Sequence, residues 1–546
     1  MKDFCGFYIH IPFCVRKCNY CDFLSSPMDE KSQGVYISAL INEIHLNKEN
    51  IEKYDGVRTV YFGGGTPSLL SEENLERLIV EVLKAAGIKF ELVDGVQKYY
   101  DIRGIEGIRN KPEYELIDEP GNKRGDEAVD ESRNKPEDEL DNKLEIKPEI
   151  TLEVNPGTAD YKKLRRLFKL GVNRLSIGMQ STDDMQLKRL GRIHTYAQFL
   201  ECYEDAHRAG FDNVSVDIMS ALPGQSLEDY EETLRKVCGL SPAPRHISSY
   251  SLIIEPGTPF YSIYGGKEAE EAEGEAEEAE STIEKEEAES AIEKEETESA
   301  IEKEEAESKI AKEKVNKAAI REKSGEYKKY PKLPDEDTER EMYVMTSRIL
   351  AEYGYQRYEI SNYAKEGFES RHNSSYWTRI PYFGFGLGAS SFVFDTRFEN
   401  TRDFKEYISL LSEEVIDTSI DTSINTSINT LIDTSIDTHL DSEKKCDKNE
   451  VLREPYEVLK KLHREVKQVT QKEKMEEYVY LGLRLTKGIS KIKFLESTGV
   501  DFDNVYGKVT EKYRKMGMLI CEGNIVRFSE RGLDISNYIL SDFLLD

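Results

Sequence analysis

Three cysteines, Cys14, Cys18 and Cys21, stand at C-x3-C-x2-C spacing directly after the apolar run Tyr8-Ile9-His10-Ile11-Pro12-Phe13. Thiolates are soft ligands that suit iron–sulfur clusters and zinc. Three thiolates on a four-iron cluster leave one iron free for another ligand, as a catalytic metal centre keeps an open position. Zinc is the poorer match. It usually takes four ligands in two spaced pairs, and no second Cys/His cluster follows downstream. A disulfide framework does not suit a long chain whose start lacks a secretory pattern.

Such a loop needs a frame, and the first half of the chain has the pattern of one. Strand-like runs alternate with helix-like stretches, the mark of βα units and a parallel sheet. Strands are expected at 6–11, 57–62, 150–154, 173–177, 214–218 and 246–253. Helices are expected over 31–50, from Ser71 onward, and over 160–170, 181–190, 195–209 and 226–238. Six strands make a partial (β/α)6 barrel in the α/β class, and barrels gather their chemistry at the C-terminal strand ends. Gly63-Gly64-Gly65-Thr66-Pro67-Ser68 closes the second strand. It matches neither a phosphate loop nor a dinucleotide fingerprint, but its glycines permit close backbone approach to a ligand or a tight turn. Glu153, Gln180 and Asp217 fall on the same rim. Each alone reads as a satisfied structural hydrogen bond; together they read as a ligand shell.

The string Y-x-H-I-P-F-C-x3-C-x-Y-C resembles the signature of the radical S-adenosylmethionine (SAM) enzymes, and within them the coproporphyrinogen III oxidase branch with its HemW-type heme chaperones. The resemblance implies a [4Fe-4S] cluster on Cys14, Cys18 and Cys21, with SAM chelated at the open iron. It implies SAM contacts from Tyr8, Tyr20, Gly64, Gly65, Thr66, Glu153, Gln180, Arg192 and Asp217. Arg192 suits bidentate pairing with a carboxylate. An electron donor such as a flavodoxin or ferredoxin is also implied.

Further along, Arg371-His372-Asn373-Ser374-Ser375-Tyr376-Trp377 contains His-Asn-x-x-Tyr-Trp, which resembles the heme-associated motif of the chaperones. A neutral imidazole can ligate heme iron and aromatic neighbours suit a flat macrocycle. His372, Tyr376 and Trp377 are therefore candidate heme contacts. The alternative is a capped turn with two packed rings. Gly384-Phe385-Gly386-Leu387-Gly388-Ala389 follows with no assigned role.

Composition divides the chain of 546 residues. The net charge is −30. About −23 of it sits in three biased segments, 91–147, 267–330 and 417–450. These read as low-complexity insertions, the first largely disordered and the second a solvated, partly helical spacer. The domains expected are a barrel core over 1–260, a flanking segment over 331–416 and a C-terminal α+β domain over 451–546. The last has winged-helix order, but no basic recognition face suggests nucleic acid. No apolar run reaches the ~18 residues that span a bilayer, so a cytoplasmic protein is expected, with peripheral membrane contact left open.

Two functions share the cluster and SAM: oxidative decarboxylation of coproporphyrinogen III, and binding of heme for delivery to client hemoproteins. The oxidase pattern extends to a fourth cysteine, which falls on Phe23 here. That position and the His372–Trp377 string favour the heme chaperone.

Overall fold

The computed structural model describes residues 4–93, 96–101, 145–146, 148–265, 331–412 and 455–545. The stretches 267–330 and 417–450, and 102–144 of the first insertion, lie outside the described residues.

Seven parallel strands form the frame. Their order across the sheet is His246–Ser251, Val214–Ser220, Arg174–Gln180, Glu149–Val154, Gly56–Gly64, Phe4–Ile11 and Tyr382–Phe385. The first six match the expected barrel strands. The seventh pairs in parallel with Phe4–Ile11, Tyr8 opposite Gly384. Helices Glu30–Leu46, Glu72–Ala85, Tyr161–Lys169, Tyr196–Arg208 and Leu227–Cys238 make the crossovers. Each starts on a side chain that accepts a backbone N–H, from Asp29, Ser71, Asp160, Thr195 and Ser226. Such caps each contribute about 1 kcal/mol and fix where the strand-to-helix loop ends.

Alternation along the strands separates two faces. Phe7, Ile9, Ile11, Val60, Phe62, Ile150, Leu152, Leu175, Ile177, Val214, Val216 and Ile218 point outward into one core under the helices and are buried. Burying each such side chain contributes about 1.5–3 kcal/mol. The inward positions between them are Gly6, Tyr8, His10, Thr59, Tyr61, Gly63, Glu149, Thr151, Glu153, Arg174, Ser176, Gly178, Ser215, Asp217, His246 and Ser248. Barrels packed as cores fill this space with branched apolar side chains. Here it is lined instead with hydroxyls, carboxylates and glycines, many of them bonded to one another across the strands.

Two domain boundaries need correction. Ordered structure extends into the stretch taken as the 91–147 insertion. Strands Ile88–Val93 and Val96–Asp101 form an antiparallel pair, joined by Glu145–Ile146. Gln97 donates to the Phe168 and Val172 carbonyls, and the Tyr99 hydroxyl donates to Gly171 O at 2.9 Å. Alternating apolar residues, Ile88, Phe90 and Tyr99, were masked in sequence by the polar run that follows. The C-terminal domain likewise begins later than 451. Val458, Leu459 and Leu462 belong to the main core, and His463–Gln468 pairs with Thr396–Asn400 at the edge of the barrel sheet. The domain's own core, built on Val479, Leu483, Phe494, Phe502, Tyr506 and Val526, starts with helix Gln471–Gly482.

Candidate functional site

The cysteine loop leaves the first strand at Ile11 and is stitched down from two sides, the Leu190–Gly191 turn and Phe260. Asn19 N–H donates to Leu190 O, Phe260 N–H donates to Asn19 O, and Arg16 donates to Gly191 O at 2.7 Å. Cys14, Cys18 and Cys21 are half-buried free thiols on this loop. Charge on Cys18 and Cys14 is felt at Cys21, whose thiol burial pushes up to about 11. A metal cation would offset that penalty by holding the thiolate form. Among the described residues no three His, Cys, Asp or Glu side chains converge on a single ion. A multi-iron cluster takes one thiolate per iron, so its ligands need not meet at a point. Three thiols on one loop are a donor set that fits a cluster.

Around the loop lies a cleft lined by Val15, Arg16, Cys18, Thr66, Asn155, Gly191, Arg192 and His194. Thr66 Oγ1 lies 3.5 Å from Cys14 Sγ and accepts from Asn155 Nδ2 at 2.8 Å. Arg192 reaches across: Nη2 donates to Asn155 Oδ1 and to Gly178 O, both at 2.7 Å, and Nη1 points at Cys18 Sγ at 3.9 Å. Its guanidinium also meets the Tyr20 hydroxyl, and burial raises the Tyr20 pKa. A Cβ on Gly178 would sit 3.0 Å from both Arg192 Nη2 and Gln180 Nε2, so this glycine makes room for the two side chains. Gln180 holds a left-handed backbone at φ 69° beside a strand irregularity, which turns its amide toward Arg192.

The glycine run is a close approach of backbones. A Cβ on Gly65 would lie 2.6 Å from Phe13 O and 2.9 Å from Phe13 N, the residue before Cys14. Gly65 N–H donates to Ile11 O at 2.8 Å. Gly64, at φ 109°, gives its N–H to Glu153 Oε2 at 3.2 Å.

Deeper in the chamber Glu153 also accepts from Tyr61 O–H at 2.7 Å. Burial pushes its carboxyl up to about 7. Asp217 accepts from Ser176 and Ser215, and burial raises its carboxyl too. Tyr8 donates to or accepts from His10 Nδ1 at 3.0 Å and stacks near Tyr61. The rim therefore unites Tyr20, Thr66, Gln180 and Arg192, with Tyr8, Glu153 and Asp217 one layer below. Sequence reading missed Asn155, Tyr61, Ser176 and Ser215. Asn155 and Ser215 lie two residues from Glu153 and Asp217, so the period of two could have found them; Tyr61 and Ser176 join through bonds between strands that no local spacing shows.

His372, Tyr376 and Trp377 lie on helix Arg371–Trp377, which packs toward the N-terminal ends of the strands, and the His372 ring reaches into the chamber to stack on Tyr61, centroids 5.0 Å apart. Glu149 caps that helix by accepting from Arg371 N–H and His372 N–H, both at 2.9 Å. The imidazole is buried, and burial pushes its pKa down to about 3, so it is neutral. Both ring nitrogens are engaged, Nδ1 with Thr59 Oγ1 at 2.9 Å and Nε2 with Tyr376 O–H at 2.8 Å. Ligation of iron by His372 requires one of these bonds to break.

The radical SAM superfamily pattern matches residues 8–110 and 119–237, across the cysteine loop and the rim. This chain belongs to the radical SAM superfamily. The HemN C-terminal domain pattern matches residues 469–535, in agreement with a domain that starts at helix Gln471–Gly482. As a radical SAM protein it is 27% identical over 542 residues to the heme chaperone HemW of Bacillus subtilis, covering 98% of both chains. It is 26% identical over 539 residues to the heme chaperone HemW of Lactococcus lactis, covering 99% of this chain and 97% of that one. The Escherichia coli coproporphyrinogen III oxidase (HemN) superposes with a TM-score of 0.60 at 14% identity, covering 100% of this chain and 90% of that one. That likeness establishes a shared fold.

Proposed function

We propose that this radical SAM protein is a cytoplasmic heme chaperone that binds heme and delivers it to client hemoproteins. The observation that carries this reading is similarity to HemW heme chaperones along nearly the whole of both chains. Phe23 supports it. The side chain is 66% exposed beside the cysteine loop, where the oxidase pattern carries a further thiol.

Cys14, Cys18 and Cys21 would hold a [4Fe-4S] cluster, and the rim would hold SAM. When bound, the cluster supplies an electron and an iron site open to the amino and carboxylate groups of SAM. The chain's own residues orient that ligand. Arg192, fixed by Asn155 and Gly178, presents a preorganised cation to a carboxylate. Glu153 and Asp217 accept from hydroxyl or amine donors, and Thr66 tethers Cys14. A small protein donor such as a flavodoxin or ferredoxin would supply the electron. Among the described residues no helix is long and apolar enough to cross a membrane.

The complete rim shell keeps a second reading in view, the oxidative decarboxylation of coproporphyrinogen III. Delivery is tested by loading the reconstituted chain with one equivalent of hemin and mixing it anaerobically with an apo-hemoprotein. Movement of the Soret band to the acceptor's position supports the proposal. Failure to take up stoichiometric heme, or retention of it all, overturns it.

A further inference from the structure

The seam between helix Arg371–Trp377 and the C-terminal domain holds two donors without acceptors. Trp377 Nε1 and Arg484 Nε are both buried and unpaired. The two side chains face each other: Arg484 Cζ lies 5.3 Å from the Trp377 ring centroid and 4.8 Å from that of Tyr480. Arg484 Nη2 donates to Tyr480 O–H at 2.7 Å. The guanidinium thus lies within cation–π range of both rings, and it carries no ion pair to a described residue. Orphaned buried donors cost free energy and call for an acceptor, and a cation with no counter-ion calls for an anionic one.

The loop that carries Arg484 is pinned at both ends. A Cβ on Gly482 would collide with Ile489 Cγ2 and would come within 3.9 Å of Trp377 O, so the helix end sits close against the motif helix. Thr486 N–H donates to Tyr358 O at 3.0 Å. Arg484 therefore projects from a short, fixed segment, as a preorganised site requires. Tyr480 is 39% exposed, which leaves this cluster open to solvent on the Tyr480 side. Within the His-Asn-x-x-Tyr-Trp string the contrast is sharp. His372 has both ring nitrogens engaged, while the Trp377 N–H is free.

We propose that Arg484 and Trp377 form a carboxylate-binding site at this seam, built to take a propionate side chain of heme. The inference rests on the heme-chaperone reading and goes beyond it. It moves the anchoring contact from the iron to the ring's periphery and gives the C-terminal domain a direct part in holding the cargo. A guanidinium supplies two parallel donors to a carboxylate, and the indole N–H adds a third. Neither group can accept, so the site rejects an ammonium, and the guanidinium charge favours a carboxylate over a neutral hydroxyl.

The test titrates ferric heme and its dimethyl ester against the full chain under anaerobic conditions, following the Soret band. Wild type, Arg484→Gln, Arg484→Lys and Trp377→Phe are compared, with circular dichroism and Tm as the check on folding. Wild type should bind heme at least tenfold more tightly than the ester. Arg484→Gln should lose that preference, binding both as wild type binds the ester. Arg484→Lys should keep part of it, because charge remains without the fork. Trp377→Phe keeps a ring and loses the N–H, and should weaken heme a few-fold with little change for the ester. Equal wild-type affinity for heme and ester, or a preference that survives in folded Arg484→Gln, overturns the site and leaves the chaperone reading standing. Failure of wild type to bind either compound overturns both.

Discussion

Glu43 offers the sharpest test of how the cysteine loop is held. It lies on helix Glu30–Leu46 and is 1% exposed. Its Oε1 accepts from Asn400 Nδ2 at 2.7 Å, and its Oε2 accepts from Gly386 N–H at 2.9 Å and Tyr407 O–H at 2.5 Å. Gly386 belongs to the Gly384–Ala389 stretch that sequence left without a role. Its neighbour Leu387 donates its N–H to Tyr36 O–H, which itself donates to His10 O at 2.8 Å. Glu43 therefore clamps the turn after the seventh parallel strand against the end of the first. Replacing it by leucine strands the Gly386 N–H and the Tyr407 O–H, while Asn400 Nδ2 keeps its bond to Gly386 O; at about 1–3 kcal/mol for each stranded donor, Glu43→Leu should cost about 2–6 kcal/mol. Glu43→Gln keeps one acceptor, and its amide can meet Asn400 Oδ1, which lacks a partner, so its cost should be about 1–2 kcal/mol.

The two variants also differ from wild type in pH dependence. Burial pushes the Glu43 carboxyl up from 4.5 to about 7. The phenols of Tyr36 and Tyr407 face it, and their own pKa values are raised. Below 4.5 the group is protonated folded and unfolded, and its contribution is fully present. Between the two values the folded chain retains a proton that the unfolded chain releases, so stability falls as pH rises and levels off above about 7. At about 1.4 kcal/mol per unit, the loss between pH 5 and 7.5 is about 2 kcal/mol. Urea unfolding followed by circular dichroism at both pH values, for wild type and Glu43→Gln, isolates this slope from the general repulsion of an acidic chain. Parallel pH profiles for the two proteins would refute the reasoning.

Other expectations follow from the same geometry. Gly65→Ala places a Cβ 2.6 Å from Phe13 O, so the cysteine loop must shift. Stability should drop by about 1–3 kcal/mol, and iron retained after reconstitution should fall to half or less. Arg192→Lys replaces a fixed fork by a point charge, and should weaken SAM about tenfold in a titration read by the electron paramagnetic resonance of the reduced cluster. Heme affinity should be unchanged, because the seam lies at the other end of the strands. Tyr99→Phe removes the bond to Gly171 O and should cost about 1 kcal/mol in urea unfolding, a loss expected only if the Ile88–Asp101 hairpin is part of the folded body.

Much of this architecture was legible because period and punctuation agree. Gly6–Ile11 and Val214–Ile218 alternate apolar and polar residues, and Gly6–Ile11 and Val57–Phe62 run into the cysteine loop and the glycine run. Cys14, Thr66, Asn155 and Arg192 meet because the parallel register brings those strand ends to one rim. What escaped was set by tertiary packing. The Tyr382–Phe385 strand has four residues, too few to show a period, and only its pairing with the first strand reveals it. The edge strand His463–Gln468 looked like the start of a new domain because a biased segment precedes it. Trp377 and Arg484 are 107 positions apart in the chain, and no local pattern predicts that they share a seam. His372 was named for chemistry that either ring nitrogen could perform, and the structure shows both nitrogens already bonded.

The most direct measurement places both candidate activities in one sample. The anaerobically reconstituted chain receives SAM and a reductant. One portion is titrated with hemin by its Soret band, and another is incubated with coproporphyrinogen III and analysed for decarboxylated product by chromatography. Stoichiometric heme binding without decarboxylation is the predicted result. Steady conversion of coproporphyrinogen III with no specific heme binding would contradict the account and show that Phe23 does not separate the two functions.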